Sequence, residues 1–154
     1  MTIVDGPLTM MHANFTPHPP SAAVSNTTSP VTEVITCYFS AKNDSFEENA
    51  NKLIPIIKEK ANGFKAASSG WVIEDVEHES IGSGKKGKAF VAVIGYVPSR
   101  RRFVDTILTP ESSRWESVEA HMKFRETQTF KDNIHLLRDG PTALEVHHTA
   151  FTEK

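Results

Sequence analysis

The chain has 154 residues, room for one domain and a tail, and its 17 Lys and Arg against 19 Asp and Glu leave a formal charge of −2. That balance excludes a global pull toward nucleic acid or an acidic membrane, and no run of about 18 apolar residues offers a membrane span. A single cysteine, Cys37, excludes an internal disulfide or a Cys-rich zinc site and suits a cytoplasmic setting; the first residues carry no basic start followed by an apolar stretch, so no secretory signal is expected.

In chain order, residues 1–30 read as an N-terminal arm or linker, and residues 31–154 as the folded domain. Residues 16–30 hold four prolines among Ser, Thr and Asn, which places them outside the core. The preceding residues include Ile3, Val4, Leu8, Met10, Met11 and Phe15. The sequence leaves open whether they hang loose or strap across the domain or a partner.

Residues 31–41 are β-branched and aromatic, and they predict a strand apolar on both alternations. Val34, Thr36 and Tyr38 point one way, and Ile35, Cys37 and Phe39 the other. Ser45 with Glu48 predicts a capping box. Phe46, Ala50, Leu53, Ile54, Ile57 and Ala61 follow at helical spacing, with Gly63 as a stop and Pro55 as an expected kink. Residues 70–81 predict a second strand. Gly82, Gly84 and Gly87 make a turn, and residues 88–97 a third strand, so these two form a hairpin. A connector over 99–113 leads to a helical region from about Ser117 to Leu137, broken near Thr127. Residues 142–151 predict the last strand.

The order β-α-β-β-α-β is the α+β, ferredoxin-like plan, an antiparallel sheet with both helices on one face. Strands apolar on both alternations then leave the other face bare. A homodimer that covers this face is expected on that physical ground.

The run Trp115-Glu116-Ser117-Val118-Glu119-Ala120-His121-Met122-Lys123-Phe124 resembles a signature of the dimeric α/β-barrel superfamily, most closely its antibiotic-biosynthesis-monooxygenase-like branch. By element order the resemblance spans residues 31–154. It implies a dimeric α/β barrel with a pocket between sheet and helices, and a histidine at the position of His121 pointing into it. It also implies cofactor-free chemistry on small molecules. The stretch from Ser99 to Arg114 is longer than the usual spacing in the superfamily, and the arm is extra.

A histidine near neutral pKa suits proton transfer on an enolisable substrate, and His121 is the candidate to carry the proton. Tyr38, Tyr96 or His78 would hold the oxyanion. Trp71, Trp115, Phe39 and Phe90 are candidate walls for a flat hydrophobic molecule of the polyketide or aromatic kind. Of the adjacent His147 and His148, one is expected to face the interior. No ligand spacing indicates a metal, and no cofactor is expected. The glycines near Gly84 lie in a hairpin turn and make no phosphate cradle, and no Gly-x-Ser-x-Gly elbow is present. The leading reading is therefore a cofactor-free enzyme of secondary-metabolite biosynthesis that catalyses cyclisation, isomerisation or elimination. A cofactor-independent monooxygenase, a non-catalytic ligand-binding or stress-responsive barrel, and a scaffold that binds through its arm are the alternatives.

Overall fold

The apolar run that begins at Val31 forms strand β1 (Val31–Phe39) in a computed structural model that describes residues 10–25, 29, 31–61, 63–97 and 123–150. Trp115 and His121, with most of the run that carries the family resemblance, lie outside the described residues. Helix α1 (Asp44–Lys60) buries Phe46, Ala50, Leu53 and Ile57, the residues that the helical spacing selects. Its cap is Asn43, whose side chain accepts from the Phe46 N–H, and not Ser45, which lies inside the first turn. The helix is unbroken at Pro55. Proline offers no N–H to the Asn51 carbonyl, but both residues are exposed and water can take that bond.

The second strand lies earlier than residues 70–81. It splits into β2 (Phe64–Trp71) and a two-residue β3 (Val76–Glu77). β4 (Lys86–Tyr96) follows. Beyond a helical turn over residues 123–126, Thr127 breaks the helix as expected. Its hydroxyl accepts from the Phe130 N–H and starts α2 (Gln128–Asn133). A further short helix, α3 (His135–Arg138), precedes β5 (Ala143–Ala150).

The sheet order is β2-β4-β1-β5, with β3 paired to β4. β1 is central and antiparallel to both neighbours, with Cys37 opposite Phe90 of β4 and opposite Leu144 of β5. This is the ferredoxin-like arrangement that the element order predicts. The register assigns the faces. Ile35, Cys37, Phe39, Trp71, Phe90, Ile94 and Tyr96 share one face with α1, Phe124 and Leu137. Tyr38, Val72, Val76, Ala89, Val91 and Val93 share the other.

Part of that second face is covered within the chain. The chain's own arm crosses it, and Ala13, Phe15, Ala23 and Val24 pack against it. Ala13 bridges to Val72 and Thr16 to Ser69 along the β2 edge. Ala23 and Ser29 are 1% and 0% exposed, so a segment that composition places outside the core is part of it. The physical reason is local: Thr32 Oγ1 donates to the Ala23 carbonyl at 2.6 Å and Ser29 Oγ to Ala22 at 2.6 Å, which satisfies backbone groups of a proline-rich stretch. The premise for a second copy on this face is thereby replaced, in part, by an intramolecular cover.

Candidate functional site

Between the sheet and the helices lies a cavity of ≈ 60 Å³, walled mainly by Ile35, Leu53, Ile57, Ile94, Phe124 and Phe130. At roughly 30 Å³ per water, it holds about two solvent molecules, or the reacting end of a larger ligand. Its polar lining is Glu33, Tyr96, Arg125 and Arg138. Glu33 is 3% exposed because it falls on the inward alternation of β1, in step with Ile35 and Cys37. The Tyr96 hydroxyl donates to Glu33 Oε2 at 3.4 Å, long for an O–H···O bond. Burial, and then the Glu33 charge, hold the Tyr96 pKa above the usual phenol range. Tyr96 is thus a hydrogen-bond donor at neutral pH, and its loose bond to Glu33 is one that a ligand oxygen can replace. The Arg125 guanidinium lies 5.9 Å from the centre of the Phe130 ring.

The other residues chosen from the sequence fall elsewhere. Phe39, Trp71 and Phe90 do not line the cavity. They form a solid aromatic cluster with Phe46, with ring centres 4.8–5.4 Å apart and steeply tilted planes. Trp71 Nε1 donates to Glu47 Oε2 at 2.9 Å, so its polar edge is satisfied by α1.

Tyr38 and His78 do come together, but on the opposite face of the sheet from Tyr96. Their rings stack 3.8 Å apart at 13°. The Ser80 N–H donates to His78 Nδ1 at 3.2 Å, so the ring proton sits on Nε2, 3.4 Å from Glu145 Oε1. The Tyr38 hydroxyl donates to Glu145 Oε2 at 3.1 Å. His147 lies 3.8 Å from the same carboxylate and is exposed; His148 is also exposed but falls on the cavity side of the sheet, opposite Glu33 and in step with Val146. Both are on an edge strand, where the side chains of either alternation reach solvent. Sequence reasoning did not single out Glu33 or Glu145.

Tyr38 is pushed up to about 12 from 10.0, first by burial and then by the hydrogen bond and charge of Glu145. The folded chain therefore holds this proton more tightly than the unfolded chain. The stability this contributes is fully present below pH 10 and is lost as pH rises through 12. Tyr96, the other tyrosine, shifts the same way. Tyrosinate absorbance is expected to stay low in the native protein between pH 10 and 11 and to rise together with unfolding. Ionisation of either tyrosine near 10 in the folded chain would contradict this.

Cys37 is buried, and burial pushes its thiol up to about 12, so it offers no nucleophile. Among the described residues no group of three or more His, Cys, Asp or Glu is placed to hold a metal ion. No helix among them is long and apolar enough to cross a membrane.

No protein-family model and no curated protein matches the chain. Among solved structures it is similar to a protein proposed to be a monooxygenase from Lactobacillus acidophilus NCFM, at 12% identity over 77% of this chain and a TM-score of 0.44; the chain spans 42% of that protein's length. It is also similar to a proposed antibiotic biosynthesis monooxygenase from Caulobacter crescentus CB15, at 11% identity over 83% of this chain and 97% of that one, with a TM-score of 0.43. The fold stands on its strand order and register, and the chemistry on the side chains.

Proposed function

We propose that the chain is a cofactor-free acid–base enzyme that moves a proton on a small hydrophobic carbonyl compound, of the polyketide or aromatic kind, whose reacting end enters the cavity between sheet and helices. One observation carries the reading: a buried carboxylate and a protonated tyrosine meet in the lining of a cavity whose other walls are apolar apart from Arg125 and Arg138. The Glu33 carboxylate takes a proton from the carbon next to the carbonyl. The Tyr96 hydroxyl turns from Glu33 to the oxyanion that forms. Leu53, Ile57 and Ile94 keep water from the stabilised carbanion. Cyclisation, isomerisation or elimination then follows from the substrate's own structure.

Carbon-bound proton exchange into D2O, followed by NMR over a panel of β-diketones and hydroxyaromatic ketones, tests this reading. Wild type is expected to accelerate exchange, and Glu33→Gln to lower the rate by about 100-fold or more. His121→Ala is run beside it, because His121 is the proton carrier that the sequence suggests. If Glu33→Gln keeps the wild-type rate while His121→Ala loses it, Glu33 is not the base. Oxygen uptake in step with exchange would assign the monooxygenase outcome to the same carbanion.

A further inference from the structure

We propose that the molecule taken by the cavity is an acid, a carbonyl compound that enters carbonyl first and leaves a carboxylate at the mouth, held there by Arg138. This takes the cavity and the inward carbonyl from the acid–base reading above and adds the charge of the substrate.

The lining is graded by depth. Glu33 and Tyr96 are each 3% exposed and form its deep part. Leu144 of β5 is 36% exposed, and Arg138, the last residue of α3, is exposed as well. β5 is an edge strand, so among the described residues the cavity opens between that edge and the end of α3.

Charge follows the same gradient. Among the described lining residues Glu33 is the single acid, against the two guanidiniums of Arg125 and Arg138. The lining therefore carries an excess of one positive charge, and neither guanidinium can shed its proton. Arg125 is half-buried beside the Phe130 ring and forms part of the wall. The Arg138 side chain has no hydrogen-bond or ion-pair partner among the described residues. Its chain neighbour Asp139 does not line the cavity.

A planar guanidinium takes both oxygens of a carboxylate, and an apolar wall beside it strengthens the attraction. An anion drawn deeper would lose its hydration and meet the Glu33 carboxylate. One orientation is therefore favoured. The carbonyl goes inward to Tyr96, the apolar body lies against Leu144 and Ile35, and the carboxylate stays at the mouth with Arg138. Binding at the mouth then positions the reacting carbon at the deep end.

The test titrates the full chain with para-acetylbenzoate, its methyl ester and its amide, followed by methyl NMR, and separately follows exchange of the acetyl protons into D2O. The acid is expected to bind about 10-fold more tightly than either neutral analogue, with shifts at the Leu144 and Ile134 methyls. Arg138→Gln, a change at an exposed position, is expected to remove that preference and leave the affinity for the ester as it was. Equal affinity for acid and ester in wild type, binding of neither, or a preference unchanged in Arg138→Gln would overturn the proposal. The two readouts keep the claims apart. An acid preference that depends on Arg138, with no exchange of any analogue, supports the anion site and counts against Glu33 as the base. Exchange that depends on Glu33, with no acid preference, does the reverse.

Discussion

Phe90→Ala is expected to lower the free energy of unfolding by about 3–5 kcal/mol, at the upper end for a single core substitution. Phe90 is 1% exposed on β4, with Cys37 of β1 and Trp71 of β2 as its register neighbours. Its ring meets Phe46 edge-on at 5.4 Å and Trp71 at 5.3 Å. Removing it deletes apolar contact and two aromatic pairs at once. The surrounding walls are a paired sheet and the first turns of α1, which cannot collapse into the gap, so the cavity term is kept in full. Urea unfolding of wild type and variant measures the loss. A change below about 1 kcal/mol would mean that the cluster is not the solid core described, and that Phe90 faces a space able to hold a ligand.

Tyr96→Phe is expected to lower turnover by about 10²–10³-fold while leaving the fold nearly as stable as wild type. The substitution keeps the ring, and with it the contacts in the sheet–helix core. The lost bond to Glu33 is a long one at 3.4 Å, so little native stability goes with it. On the function proposed, what is lost is the donor to the developing oxyanion. Since the apolar walls are unchanged, kcat is expected to fall far more than KM rises. A variant with wild-type kcat would place oxyanion stabilisation elsewhere. A variant with a raised KM and the same kcat would make Tyr96 a binding contact only.

Much of this architecture was legible in residue order. The two-sided apolar run of β1 and the helical spacing from Phe46 to Ile57 correspond to what is buried. β2 was not legible, because its Ala66, Ala67, Ser68, Ser69 and Gly70 carry none of the β-branched bulk that marks a strand. Their smallness answers to the arm that crosses them, a contact between segments distant in sequence. Composition had set that arm aside for its prolines. Asn43 was passed over for Ser45 because both are good caps two residues apart, and only the chain's entry angle decides between them.

The site was legible only in pieces, for a related reason. Alternation shows that Tyr38 and Cys37 lie on opposite faces of β1, but not which face Tyr96 of β4 shares. The register does that: Cys37 opposite Phe90 puts Phe90 and Tyr96 on the helix side and leaves Tyr38 with His78 on the arm side. Glu33 was missed because an acid near the start of a strand reads as a solvent-facing residue. The signal was present, since Glu33 falls in step with Ile35, Cys37 and Phe39 on the inward alternation of β1.

A titration of methyl-labelled protein with a small aromatic ketone, followed by NMR, tests most directly whether the cavity under the helices is where this molecule works. Perturbations are expected at the methyls of Ile35, Leu53, Ile57 and Ile94, with the Tyr96 ring moving at the same ligand concentration. Perturbations confined to Tyr38, His78 and His147, on the far side of the sheet, would contradict the account.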